Sequence, residues 1–217
     1  QSWDPTVLFD GLGENWEILD VRYKKYPCCG ITHSALDAFT DLIEDKKLSH
    51  TDIDKVTVWL DPTAELPLWQ ERKIDDEVKA QFSVAYDIAV AAFRLNLNWE
   101  WLKPETRINP EIINFMKKVE VLALPEYSKI AQQNPNVQMA IVEIRTDANT
   151  FKKENKFASG KQSAEKPGFS DQYLEEKFIN NTSGHLSSNL IGQFIQQLWE
   201  LETEGNVANL ISSLSDN

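Results

Sequence analysis

The chain has 217 residues, 41% of them hydrophobic, enough for one sizeable core or one core with an appendage. With 34 acidic against 22 basic residues its formal net charge is −12, and the basic residues come singly or in pairs, which leaves no stripe for nucleic acid. No apolar run approaches the length of a membrane span, so the expectation is a protein off the membrane, in the cytoplasm or, in a eukaryote, the mitochondrial matrix.

Residues 1–17 carry Trp3, Pro5, Phe9 and Leu12 among acidic residues and read as a connector. Residues 16–23 have the composition of a strand. Ser34 offers an N-cap oxygen with Asp37 three positions on, a variant of the capping box, and Ala35, Leu36, Ala38, Phe39, Leu42 and Ile43 fall at helical spacing. That pattern predicts a helix over 34–46. Val56, Val58 and Leu60 alternate with Thr57 and Trp59, which predicts a strand over 54–60. Residues 61–78, with Pro62, Pro67 and a charged run, read as a long loop with one helical turn. Ser83 is placed to cap a helix over 83–95 whose residues are apolar nearly all round, the pattern of a helix buried on most sides. Tyr86 falls in its first turn.

A short helix is predicted from Pro110 to Lys118, because proline at a first-turn position has no donor to lose. Strands follow over 119–124 and 137–146, the latter pairing with 151–157 across Asp147-Ala148-Asn149. Residues 158–169 are a linker by composition. Beyond it, helices are predicted over 170–180, with Ser170 as cap, over 186–201, and over 206–214. The second carries Leu190, Ile191, Phe194, Ile195, Leu198 and Leu201 on a wide stripe. Burying one such side chain is worth about 1.5–3 kcal/mol, so the stripe must find a partner in the rest of the fold or in another helical unit. The elements together define an α+β class, a mixed or antiparallel sheet with packed helices.

The stretch Tyr23-Lys24-Lys25-Tyr26-Pro27-Cys28-Cys29-Gly30-Ile31-Thr32-His33-Ser34 lies just before the first predicted helix. Unpaired N–H groups at a helix start attract anions, and two lysines beside it make an anion site one reading; a tight turn with solvated lysines is the other. Cys28 and Cys29 are adjacent, and a bridge between neighbours would be strained. With no third cysteine there is no thiolate zinc site, and no dinucleotide fingerprint, phosphate loop or metal-ligand spacing occurs. No cofactor and no metal are expected.

This block resembles the lysine-aromatic-proline block, with a histidine a few residues on, of the MmgE/PrpD family of 2-methylcitrate dehydratases and cis-aconitate decarboxylases. Three further segments follow in the family's order: Phe82-Ser83-Val84-Ala85-Tyr86 leading into Ala89 and Ala91, the stretch from Trp101 to Val121, and Pro167-Gly168 followed by Leu174-Glu175-Glu176-Lys177-Phe178. The resemblance implies a C-terminal portion of such an enzyme. Residues 18–157 would be its α+β lid domain, and 170–217 would return to an all-helical domain preceding Gln1, in a homodimer without cofactor.

The resemblance implies that Lys24 closes on substrate carboxylates, while Lys25 stands where many members have proline. Tyr86 matches an aromatic hydroxyl that could bind substrate or deliver a proton; the alternative is a Tyr packed between helix and sheet. Lys24 and Tyr86 are thus the catalytic candidates, and Lys24, Lys25, Cys29 and His33 the substrate-binding ones. His33 either faces the site or ties down the turn. The implied reaction is proton abstraction beside a carboxylate of a small di- or tricarboxylate, then loss of water or carbon dioxide. An epimerase of an amino- or hydroxy-dicarboxylate would need the same abstraction. A stand-alone binding module, lacking the general base that the family carries in its helical domain, is the reading from a different class.

Overall fold

The computed structural model describes residues 4–16, 18, 21–134, 136–160, 168–212 and 214. The helical spacing of the apolar residues after the junction produces α1 (His33–Asp45), with Leu36, Phe39, Leu42 and Ile43 buried. The alternation that follows produces β1 (Lys55–Leu60), which turns Val56, Val58 and Leu60 into the core. Between β1 and the next strand runs a long helical crossover. It holds α2 (Glu77–Phe82), α3 (Val84–Ala92), α4 (Pro104–Arg107) and α5 (Pro110–Met116).

This crossover has a topological consequence. It returns the chain so that β2 (Val119–Ala123) pairs parallel to β1, with Val119 opposite Val56 and Val121 opposite Val58, a pairing no tight hairpin can make. After α6 (Tyr127–Gln133), β3 (Ala140–Arg145) pairs antiparallel on the other side of β1, and β4 (Thr150–Asn155) closes the order β2-β1-β3-β4. The fold is α+β with a mixed sheet, as the sequence predicts.

Every residue of α3 is buried, and the helix packs against α1, α5 and β2, while α1 lies across β3 and β4. The opposite face of the sheet carries a smaller cluster, in which Leu124, Tyr127, Val137 and Met139 cover Trp59, Ile141 and Phe157. At the C-terminal end are α7 (Asp171–Thr182), α8 (Ser188–Trp199) and α9 (Val207–Ser212). The stripe on α8 finds part of its cover within this group, where Phe194 stacks on Phe178 of α7 at 5.3 Å between ring centroids. Trp199, Leu198 and Leu201 stay exposed. Among the described residues no helix is long and apolar enough to cross a membrane.

Several expectations are corrected. Residues 16–23 are not a strand where described: Trp16, Ile18, Val21 and Tyr23 are exposed, and the Tyr23 amide donates to the Gly160 carbonyl (3.1 Å) in the turn after β4. Strand composition counts for little where the chain meets a loop instead of a ladder. The predicted loop over 61–78 hides the start of α2, which Asp76 caps by accepting from the Lys79 amide (2.8 Å). Helices α4 and α6, of four and seven residues, are too short to show a period in sequence. Of the linker, residues 161–167 lie outside the described residues, whereas Ala158 and Gly160 are buried.

Candidate functional site

Residues 23–34 are pinned from several sides. The Cys29 amide donates to the Gln81 carbonyl of α2 (2.8 Å), and a single 3-10 turn over Gly30–Thr32 runs straight into α1. The N-cap of α1 is therefore Thr32, not Ser34, and its hydroxyl donates backwards to the Cys29 carbonyl (2.8 Å). Ser34 lies inside the helix with a buried hydroxyl that has no partner. The predicted capping box cannot close, because Asp37 is occupied.

Asp37 is the knot of the junction. Its carboxylate accepts from the Tyr26 hydroxyl (3.0 Å) and the Lys25 ammonium (3.1 Å) on one oxygen, and from the Ser159 amide (2.7 Å) and hydroxyl (2.8 Å) on the other. One side chain of α1 thus ties the lysine loop to the turn after β4. In that turn Gly160 has φ +95°, and any Cβ there would run into the Tyr23 carbonyl oxygen, so glycine is required.

The cations sit around this knot. The exposed Lys24 reaches over the loop, and its ammonium donates to the Cys28 carbonyl (3.0 Å). Lys25 is paired with Asp37 and lies over the Tyr26 ring at 5.0 Å, so its charge already has a partner. His33 is buried with Nε2 3.4 Å from the Cys28 carbonyl oxygen and its ring edge-on to Tyr26 at 5.2 Å. Burial holds its imidazole down to about pKa 4, against the pull of the same carbonyl and of Asp37, and Lys24 and Lys177 press it further down. At neutral pH it is uncharged. Lys177, from α7, enters from the far side and donates to the Lys25 carbonyl (3.5 Å).

Behind the junction lies Tyr86. Ser83 caps α3 as predicted, accepting from the Tyr86 amide (3.2 Å) while donating to the Glu71 carbonyl (2.7 Å). The Tyr86 side chain is fully buried, and its hydroxyl donates to the Trp101 carbonyl at 2.5 Å. Burial pushes that phenol well above its ordinary range. Lys24, Lys25 and His33 therefore come together around Cys28 and Asp37. Tyr86 joins them through Trp101, whose indole lies 5.9 Å from the Tyr26 ring. Cys29 is a partly exposed free thiol on the same turn, and Cys28 is a buried one, 3.2 Å from the Thr32 hydroxyl.

Two residues of this region were missed in sequence. Asp87, the single charge in α3, is buried beside Cys28 and Thr32, and neither of its oxygens receives a hydrogen bond of normal geometry, since the Thr32 hydroxyl is directed at Cys29. Desolvation pushes its carboxyl well above the usual range, which favours the neutral acid. An acid inside an otherwise apolar helix was the available signal. Lys177 had no such signal, because only the docking of α7 brings it to residue 25.

A mixed sheet roofed on one side by a buried helix, with a cationic loop feeding the helix beside it, defines an α+β domain whose candidate site lies at a loop-to-helix junction. The chain belongs to the MmgE/PrpD family: residues 26–201 match the model of the MmgE/PrpD C-terminal domain. The match begins at Tyr26, just past Lys24 and Lys25. The family includes dehydratases. Among curated proteins nothing matches the sequence.

Proposed function

We propose that the junction is the carboxylate-binding part of a lyase acting on a small di- or tricarboxylate, by removal of a proton beside a carboxylate and loss of water or carbon dioxide. The observation that carries this reading is Lys24. In a chain of net charge −12, its ammonium is held over the loop by one carbonyl and has no carboxylate within 4 Å among the described residues. An ammonium fixed this way binds a carboxylate as a point charge and stabilises the negative charge that develops on the adjacent carbon. Tyr86 serves the reaction directly only if its hydroxyl leaves the Trp101 carbonyl; in the geometry here it fixes Trp101, on which Tyr26 rests.

An epimerase on an amino- or hydroxy-dicarboxylate uses the same clamp and differs only in product. A module that binds such acids without turning them over is favoured by one feature: His33, Asp37 and Asp87, acid–base groups of this junction, are all buried. Assays of the full-length protein on 2-methylcitrate, citrate and cis-aconitate, with product analysis, separate the three. Lys24→Ala is expected to cut turnover about a hundredfold or more with an unchanged circular dichroism spectrum. Unchanged kinetics in that variant overturn the assignment.

A further inference from the structure

The second cation at the junction was not anticipated, and its surroundings are informative. Five lysines, Lys25, Lys55, Lys73, Lys79 and Lys153, each have a carboxylate oxygen within 4 Å. Among the described residues Lys24 and Lys177 have none, as is true of eight further lysines, but these two both bond to the loop of residues 23–28. Lys177 is also half-buried, and burial alone lowers its pKa. An ammonium withdrawn from water without a counter-ion is unfavourable unless something else supplies the charge.

The acids next to Lys177 on α7 do not supply it. Glu175 accepts from the Trp199 indole (2.6 Å), and Glu176 accepts from the Gln172 amide (2.9 Å). Each of the two lysines makes one hydrogen bond to a carbonyl of the same short loop, Lys24 to Cys28 and Lys177 to Lys25. An ammonium has three donors, so two remain on each among the described residues. Lys177 further lines, together with Glu175, a largely apolar groove of about 450 Å³ between α7 and α8, walled by Leu174, Phe178, Ile195 and Trp199.

We propose that Lys177 is the second arm of a two-ammonium site, in which Lys24 and Lys177 each take one carboxylate of the same small polycarboxylate. The site is then complete only with α7 docked on the loop of residues 23–28. This rests on the reading of Lys24 given above and extends it: the preferred ligand carries at least two carboxylates, and a monocarboxylate engages one arm.

The test is calorimetric titration of the protein with tricarballylate, an unreactive tricarboxylate, and with butyrate. Wild type is expected to bind tricarballylate more tightly than butyrate. Lys177→Met and Lys24→Met should each weaken tricarballylate about tenfold or more, Lys177→Arg should retain most of the affinity, and Lys153→Met should change nothing. Weakening by Lys24→Met but not by Lys177→Met overturns this inference and leaves the reading of Lys24 standing. No binding by wild type, or no effect of either variant, overturns both. Should Lys177→Met fail to fold, the 15N resonance of the Lys177 ammonium in wild type decides: a shift on adding tricarballylate supports the site, and none overturns it.

Discussion

Replacing Asp37 with alanine removes the acceptor of the Lys25 ammonium, the Tyr26 hydroxyl, and the Ser159 amide and hydroxyl in a single step. The Asp37 side chain is only 5% exposed and the Tyr26 hydroxyl is buried with it, so water cannot take over these bonds freely. Breaking a buried charged network by deleting one member typically costs about 3–5 kcal/mol, because the remaining donors are left unmatched. For a chain of this size each kcal/mol moves the thermal midpoint by about 2–4 °C, so Asp37→Ala should melt roughly 6–20 °C lower. Lys25→Met is the contrast. Its side chain is 24% exposed, so removing the ion pair alone should cost under about 1 kcal/mol. Urea titrations of both variants at neutral pH measure the difference. A loss below about 1 kcal/mol in Asp37→Ala, or equal losses in the two, would refute the view that Asp37 holds the loop to the turn after β4.

Two pH dependences follow from groups flanking the junction, and they run in opposite directions. His33, held down to about pKa 4 when an ordinary imidazole titrates near 6.5, binds its proton in the unfolded chain first; stability is full above 6.5 and lost as pH falls through 4, by about 3 kcal/mol in all. His33→Phe should flatten that limb of a stability profile, and an unchanged limb would contradict the buried neutral ring. Asp87 behaves conversely: its raised pKa lets the folded state keep a proton that the unfolded chain has released, so stability falls as pH rises above about 4. Asp87→Asn, which keeps the shape without the charge, should lose less stability than wild type between pH 5 and pH 8; equal losses would mean that Asp87 is not the titrating group.

The regular elements were legible because their patterns are local. Alternating Val56, Val58 and Leu60 dictate a half-buried strand wherever it pairs, and a run from Val84 to Ala92 with one charge dictates a helix enclosed by protein. Ser83 and Ser170 as caps were read correctly for the same reason, since a cap bonds within three residues of itself. Ser34 was misread because the choice between Thr32 and Ser34 as the helix boundary depends on the turn before α1 and on Asp37 being engaged from outside the helix. The strand expected over 16–23 failed because strand formation needs a ladder partner that composition cannot specify.

By itself, then, the sequence determined the class of fold, the order of its main strands and helices, the acidic envelope and the loop at which cations gather before α1. Only the tertiary structure decided which of those cations has a carboxylate partner among the described residues. Lys25 and Lys24 are neighbours with the same chemistry, yet the Lys25 ammonium lies 3.1 Å from the Asp37 carboxylate while that of Lys24 reaches the Cys28 carbonyl instead. Lys177 stands 152 residues from its carbonyl partner. A charge's partner is set by distances through space, which short-range sequence patterns do not encode, whereas helix and strand are set by spacing along the chain, which they do.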